Sequence, residues 1–344
     1  MKRTWAGMAI LLGLLCNPAV ATTCPSDAYT KPQTLVRVEG TRRLNLYCEG
    51  TGRPVILLDA GAGGSSYVWR QVQHPLAATT RVCTYDRAGF GFSDATPHPT
   101  DVVHVVADLH RLIRSHAFGG PIIYVGHSIA GLYGLRLAAD HPDDVAGEVL
   151  VDPTVAGQFQ RNTAVLPAAI KAIVIRDTHK YAASLEVCLK LARRQRLIVP
   201  RTATEKTCVA TDDSLDPVLR DSLARQYATP AFQAANLSET RNVLLGYSLS
   251  VDDRQVLSAY PVFGAKPVTV LTAGQMQHSA GVTADQAKRI EALVKQAHDD
   301  IAGLSQNGRS VMVADSEHFI QIDKPDVVIT EINAVVDMVR QQLQ

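Results

Sequence analysis

One serine, Ser128, lies at the apex of a turn that could present a nucleophile for acyl transfer. The apolar residues 122–125 are predicted to form a buried strand, and the small-residue turn 126–131 follows it directly. A helix-forming run begins at Leu132. A strand, a sharp turn and a helix can hold a serine Oγ exposed above a sheet. Ala130 stands where such turns usually have glycine, and we expect its single methyl group to be tolerated.

A serine nucleophile needs a base, and the position of His318 favours it among the 11 histidines of the chain. His318 follows the last predicted strand, residues 311–314. Sites in α/β sheets form at the carboxyl ends of strands, where His318 would lie. His127 is a poor base for Ser128, because the side chains of consecutive residues point apart.

Asp152 is our candidate for the carboxylate that orients this histidine. It comes directly after the predicted strand 147–151 and before Pro153, so its side chain should project from the carboxyl edge of the sheet. An ordinary turn aspartate is the alternative interpretation. No carboxylate follows the predicted strand 268–272 closely. The nearest one there, Asp285, is typical of a helix start.

Two glycine-rich segments could support this chemistry. Residues 60–66 follow the predicted strand 55–59, and their backbone N–H groups could approach a substrate oxygen. A flexible connector is the alternative for this segment. Together with the serine turn, it predicts that the backbone N–H groups of Ala62 and Ile129 bind the oxyanion. We interpret residues 85–94 as scaffolding, anchored by an Asp-Arg pair and by aromatic side chains.

The order of predicted elements indicates an α/β fold. Residues 35–38 and 44–47 flank Gly40 as a hairpin, and buried-type strands then alternate with helices of 3.6-residue periodicity. This alternation predicts a mainly parallel sheet with helices on both faces. The rhythm stops over residues 155–262, which read as helical, and it resumes afterwards. We therefore expect one core domain, residues 22–154 and 263–344, with a helical insertion between its halves.

Composition and the amino terminus bear on location. The formal net charge of +1 gives no electrostatic case for nucleic acid or for an anionic membrane surface. Lys2 and Arg3 precede an apolar stretch, and a small-residue cleavage pattern ends near Ala21. This pattern predicts a signal peptide over residues 1–21 and export to the periplasm or the medium. The apolar stretch is too short to span a bilayer stably.

Export permits disulfide bonds, and the loss of Cys16 with the signal would leave five of the six cysteines. We favour a bond between Cys188 and Cys208, which lie together in a helix-rich region. Cys24 with Cys48 is a second suggestion. Cys83 lies within an apolar strand, where we expect a small buried hydrophobic side chain. No cysteine or histidine spacing in the sequence indicates a metal site.

These segments resemble the α/β-hydrolase superfamily, and in particular its cap-bearing serine esterase-like members. The resemblance rests on residues 126–131, 86–93, 61–66 and 318–325, in the right order along the chain. The order of Ser128, Asp152 and His318 also agrees with that of the superfamily. The resemblance implies an α/β-hydrolase fold with a helical cap, and an acid taken here from the central strand that precedes Asp152. A serine at the turn argues against haloalkane dehalogenases and epoxide hydrolases, which similar folds build around an aspartate nucleophile.

We therefore expect a serine hydrolase that cleaves a carboxylic ester or a related acyl compound through an acyl-enzyme on Ser128. No metal or organic cofactor is needed for this chemistry, and the substrate is a small acyl compound. A lactonase, an amidase or a carbon–carbon bond hydrolase on the same triad is the alternative. A non-catalytic binding protein of this fold is a further alternative, against which the intact Ser128 and His318 count.

Overall fold

The computed structural model describes residues 26–115, 118–243, 248–279 and 281–342. The signal predicted over residues 1–21 and Cys24 both lie outside these ranges. Within them, no helix is both long and apolar enough to cross a bilayer.

A single mostly parallel sheet, eight-stranded over the described residues, forms the centre of the protein. Its strands are β1 (Thr34–Glu39), β2 (Arg42–Glu49), β3 (Val55–Asp59), β4 (Val82–Tyr85), β5 (Ile122–His127), β6 (Val145–Val151), β7 (Val268–Ala273) and β8 (Gly308–Val313). They lie in the order β1-β2-β4-β3-β5-β6-β7-β8. β2 pairs antiparallel with β1 and with β4, and the other neighbours are parallel.

Helices follow most strands, as the alternating pattern predicted. Before β6 the chain forms α1 (Arg70–Leu76), α2 (Val102–Arg114) and α3 (Ala130–Asp140). Between β6 and β7 it forms α4 (Gln158–Ala164), α5 (Ala168–Arg193), α6 (Ala203–Cys208), α7 (Pro217–Tyr227), α8 (Pro230–Val243) and α9 (Val251–Leu257). After β7 come α10 (Ala284–Ala302), α11 (Ile320–Asp323) and α12 (Pro325–Gln342). Short 3-10 helices lie at Ser26–Tyr29, Ser66–Trp69 and Pro142–Asp144.

The sheet is buried on both faces because its central strands are apolar at successive positions. Every residue of β3 is buried, for example. Ile56 and Leu58 pack with α1 and α12 on one face. Leu57, between them, packs with α2 and α3 on the other face. Successive side chains of a strand point to opposite faces, so a continuous apolar run forms two cores. The predicted α/β fold with helices on both faces of the sheet is confirmed.

Two disulfide bonds join cysteines of the described residues. The predicted Cys188–Cys208 bond is present and connects α5 to α6. The suggestion that Cys24 pairs with Cys48 is wrong, because Cys48 is bonded to Cys83. The two residues lie directly opposite each other where β2 pairs antiparallel with β4. Cys83 is buried as expected, but it is not a free thiol.

Candidate active site

The turn after β5 holds Ser128 in the left-handed region of backbone conformation, with a φ of 56°. This region is uncommon for residues other than glycine and stores strain at functional turns. Backbone hydrogen bonds hold the turn on both sides. The Ser128 N–H donates to the Val151 carbonyl oxygen at 3.1 Å, and the Ser128 carbonyl oxygen accepts from the Thr154 N–H at 2.7 Å. The hydroxyl of Ser128 is thus presented above the ends of β5 and β6.

Small residues allow this turn to pack closely against its neighbours. A Cβ atom on Gly131 would lie 2.4 Å from Cβ of Pro153, and one on Gly126 would lie 2.8 Å from the Ala130 carbonyl oxygen. Both positions therefore exclude side chains. Ala130 begins α3 and is fully buried, so its methyl group fits where glycine is usual.

The structure brings Ser128, His318 and Asp152 together, although Asp152 and His318 are 166 positions apart in the sequence. Nε2 of His318 lies 3.0 Å from Oγ of Ser128. Nδ1 of the same ring lies 2.6 Å from Oδ2 of Asp152. Ser128 and His318 are partly exposed, whereas Asp152 is buried. An imidazole is therefore held between a reachable hydroxyl and a buried carboxylate, which is the arrangement that activates a serine.

Backbone and side-chain hydrogen bonds also fix the position of Asp152. Its φ is 43°, its backbone N–H donates to the Leu271 carbonyl oxygen at 2.8 Å, and its Oδ1 accepts from the Ala273 N–H at 3.0 Å. Burial opposes ionisation of this carboxyl, but the hydrogen bonds from His318 and Ala273 outweigh it and keep its pKa below the ordinary value. The competing candidate, Asp285, is exposed in the first turn of α10.

His127 supports the backbone of His318. Its Nε2 lies 2.9 Å from the His318 carbonyl oxygen, to which it donates. Burial, together with the nearby ring of His318, lowers the pKa of His127 to about 3. His127 is therefore neutral at physiological pH. Its hydrogen bond holds the segment that carries His318 in place.

The loop of residues 61–64 lies against the serine turn. A Cβ on Gly61 would be 3.3 Å from Cβ of Ser128 and 2.6 Å from Nδ1 of His127. Among the described residues, the backbone N–H groups of Ala62 and Ile129 donate to no protein acceptor. Both predicted oxyanion donors thus belong to segments that meet at Ser128.

A buried arginine, Arg87, stabilises this loop through hydrogen bonds. Arg87 donates to Oδ1 of Asp59 at 2.8 Å, to the Ala60 carbonyl oxygen at 2.6 Å and to the Gly61 carbonyl oxygen at 2.8 Å. It also forms an ion pair with Glu239 of α8, with 3.0 Å between the nitrogen and oxygen atoms. An Asp-Arg pair is present as expected, but the aspartate that pairs with Arg87 is Asp59 of β3, which lies outside residues 85–94. Asp86 instead accepts backbone N–H groups, from Ser66 at 2.8 Å and from Phe92 at 3.0 Å.

Glu239 connects the loop of residues 61–64 to α8. No local pattern in the sequence indicates this contact. Its Oε2 accepts the Gly63 N–H at 2.7 Å, and its Oε1 accepts the Tyr133 hydroxyl at 3.2 Å. The side chain is fully buried. Burial raises the pKa of Glu239, while the positive charge of Arg87 and the Gly63 N–H act against that rise. The geometry of the loop therefore depends on a residue of α8, more than a hundred positions further along the chain.

A second buried histidine supports the turn that carries Asp152. In His298 of α10, Nδ1 lies 2.8 Å from the Thr272 hydroxyl oxygen and Nε2 lies 2.9 Å from the Pro153 carbonyl oxygen. Burial lowers the pKa of His298. The neutral ring can thus accept from Thr272 and donate to Pro153 at the same time. Its place within a long amphipathic helix conceals this role in the sequence.

Comparison with known proteins identifies a family and a fold. The model of the alpha/beta hydrolase family matches residues 55–331. An AB hydrolase superfamily protein of Gibberella zeae is 23% identical over 341 residues, covering 91% of this chain and 94% of that protein. A probable transporter of Hormonema carpetanum is 35% identical over 130 residues, which cover 36% of this chain and only 18% of that protein.

Solved structures share the fold at low sequence identity. An epoxide hydrolase from Bacillus megaterium has a TM-score of 0.60 at 15% identity, covering 88% of this chain and 100% of that chain. A thermophilic esterase from Thermogutta terrifontis has a TM-score of 0.55 at 18% identity, covering 89% and 97%. At these identities the likeness establishes the fold alone, and the chemistry has to be inferred from the residues of the site.

The buried bond network predicts the effect of changing Glu239. Glu239→Gln keeps the shape of the side chain but places an amide N–H₂ or a neutral oxygen opposite Arg87. We expect a loss of about 1.5–3 kcal/mol in the free energy of unfolding, because hydrogen bonds to a charged group are lost while Asp59 still balances Arg87. Denaturant unfolding measures this loss.

Glu186→Gln is the matched control for this prediction. Glu186 pairs with Arg241 across α5 and α8, but both side chains are about half exposed. Exposed ion pairs contribute little to stability, so the unfolding midpoint of the control should stay near that of the wild type. Equal losses in the two variants would contradict the importance assigned to the buried network.

Proposed function

This chain belongs to the alpha/beta hydrolase family, and we propose that it is a serine hydrolase cleaving a carboxylic ester or a related acyl compound. The observation that carries the proposal is the continuous chain of hydrogen-bonding distances from Ser128 through His318 to Asp152. A hydroxyl at the turn, where similar folds of other activity have an aspartate, favours acyl transfer over epoxide opening.

The proposed reaction uses His318 for four proton transfers, two in the formation of the acyl-enzyme and two in its hydrolysis. Oγ of Ser128 attacks the substrate carbonyl carbon while Nε2 of His318 accepts the hydroxyl proton. The tetrahedral intermediate collapses, the alkoxide leaves with that proton, and the acyl group stays on Ser128. Water then attacks the acyl-enzyme with His318 again as base, which releases the carboxylic acid and restores the serine.

Asp152 serves this cycle by fixing the imidazole. Its carboxylate accepts the Nδ1–H of His318, which leaves the Nε2 lone pair directed at Ser128. The same charge stabilises the imidazolium that forms during attack. Because the pKa of Asp152 is held below its ordinary value, the carboxylate stays ionised at neutral pH.

The backbone N–H groups of Ala62 and Ile129 are proposed to bind the oxyanion of the tetrahedral intermediate. Ile129 precedes the first residue of α3, so the positive end of the helix dipole also faces this point. Donors of this kind typically contribute about 2.7–4 kcal/mol each to transition-state stabilisation. Glu239 and Arg87 would act as positioning residues, because they hold the loop that carries Ala62.

We propose that residues 155–262 form a cap over a core built from residues 22–154 and 263–344. Packing of α8 supports this division: Phe232 and Ala235 contact Phe90 in the glycine-rich turn beside the site. A cap in this position would exclude water from the acyl-enzyme and would select among substrates.

We also propose that the protein is exported after cleavage near Ala21. The pattern at residues 1–21 supports a secretory signal. Two disulfide bonds among the described residues are consistent with an oxidising compartment. We propose in addition that the substrate is a small-molecule acyl compound.

Removal of the nucleophile tests the proposal directly. Ser128→Ala should lower kcat/KM for short-chain p-nitrophenyl esters by about 10⁴-fold or more, because the acyl-enzyme cannot form. Ser184→Ala changes an exposed serine of α5 and should leave turnover unchanged. A Ser128→Ala variant as active as this control would exclude the proposed nucleophile. Failure of the wild type on a panel of esters, lactones and amides would count against the whole assignment.

The choice of acid has its own test. Asp152→Asn should lower kcat by about 10⁴-fold with little change in KM, because the imidazole loses the carboxylate that sets its tautomer. Asp285→Asn, at the exposed start of α10, should behave like the wild type. Steady-state kinetics on the same esters measures both. Near wild-type turnover in Asp152→Asn, together with loss in Asp285→Asn, would reverse the assignment.

A further inference from the structure

Three side chains with metal-binding atoms converge far from the candidate active site. His110 lies in α2 just before its last turn, His141 follows the last residue of α3, and Asp144 ends the 3-10 helix before β6. One ligand atom from each lies within 4.8 Å of the other two. Across the described ranges this is the one group of three or more histidine, cysteine or acidic side chains that meets this condition.

Local contacts already arrange the three groups. Nδ1 of His110 lies 2.6 Å from Oδ2 of Asp144, and the rings of His110 and His141 stack with centroids 3.7 Å apart and planes 9° apart. The Asp144 N–H donates to the His141 carbonyl oxygen at 2.9 Å, which fixes the turn between them. Asp144 is buried, while both rings are partly exposed. An ion could therefore enter from the ring side without unfolding the turn.

We propose that His110, His141 and Asp144 form a binding site for a divalent first-row transition metal, with Zn²⁺ as the representative ion. Two imidazole nitrogens and one carboxylate oxygen are a ligand set that such ions use, with water completing the shell. The stacked rings have nearly parallel planes, so one imidazole has to rotate out of the stack before both nitrogen lone pairs and the carboxylate reach the Zn–N and Zn–O distances of about 2.0–2.2 Å. No cysteine or histidine spacing in the sequence indicated a site, because His110 reaches it from a different helix.

The electrostatic surroundings favour a cation. The carboxyl-terminal ends of α2 and α3 both face this region, and helix carboxyl ends carry partial negative charge. Arg114 already supplies a positive charge, with a nitrogen 3.8 Å from Oδ1 of Asp144. Its side chain is 66% exposed and can turn into solvent. Metal and Arg114 thus compete for the same carboxylate.

The location assigns the metal a structural role. α3 begins two residues after Ser128 and ends next to His141, so the two sites lie at opposite ends of one helix. Asp144 precedes the first residue of β6, whereas Asp152 follows its last. A bound ion would link α2 to the turn between α3 and β6, and it would touch none of the groups assigned to acyl transfer.

Calorimetric titration of the tag-free, chelator-treated protein with Zn²⁺ tests the proposal, with thermal unfolding as the second readout. The wild type should bind one equivalent, and its Tm should rise with Zn²⁺ concentration. His141→Ala should weaken binding at least 10-fold while leaving the metal-free Tm and the circular dichroism close to those of the wild type. Arg114→Met should tighten binding, because the competing charge is gone.

His98→Ala is the matched control. His98 stacks on His104 with centroids 5.1 Å apart and contacts Glu39, but among the described residues it belongs to no group of three ligands whose atoms all lie within 4.8 Å of one another. Its Zn²⁺ affinity should equal that of the wild type. Binding that persists unchanged in His141→Ala, or the absence of stoichiometric binding in the wild type, would overturn the proposal.

A second measurement does not depend on any variant. Anomalous scattering at the zinc edge, from wild-type crystals grown with Zn²⁺, should place an ion among His110, His141 and Asp144. An ion found only elsewhere in the molecule would overturn the assignment even if the titration shows binding.

Discussion

The register of the parallel strands β5 to β8 is the constraint on which the candidate site depends. His127 pairs with Val151, Val151 with Leu271, and Ala273 with Val313, so the carboxyl ends of the four strands lie side by side. Ser128, Asp152 and His318 each follow one of these ends within a few residues. A shift of register by one residue would turn side chains to the other face of the sheet and would separate the three groups. The hydrophobic burial of the strands therefore also sets the distances of the proposed chemistry.

A cluster of buried charged side chains holds the neighbouring loop of residues 61–64 against the sheet. Arg87 joins Asp59, at the end of β3, to Glu239 of α8, and both carboxylates are fully buried. An isolated buried charge strongly destabilises the folded state, so removal of any one of these three side chains would leave a destabilising unpaired charge. The loop that carries Ala62 lies within this cluster, which makes its shape depend on the sheet and on the helical segment together. The same buried contacts would then support both the oxyanion-binding loop and the proposed cap.

The features that could be predicted from the sequence are those that depend on short stretches of neighbouring residues. The strands, the serine turn and the positions of Asp152 and His318 follow from apolar runs that end in polar or small residues. The Cys188–Cys208 bond was predicted because both cysteines lie in one helical region, whereas Cys48–Cys83 was missed because it needs the pairing of β2 with β4. Glu239 and His298 were missed for the same reason: each acts on a distant segment through a contact that only the tertiary fold creates.

Covalent labelling of the wild type tests the central claim, that Ser128 is activated by His318 and Asp152. A fluorophosphonate probe reacts with an activated serine, and tandem mass spectrometry of the digested protein locates the adduct. We predict a single adduct on Ser128 that forms rapidly in the wild type and is strongly slowed in Asp152→Asn. A folded wild type that remains unlabelled, or an adduct on another serine with Ser128 unmodified, would contradict the account.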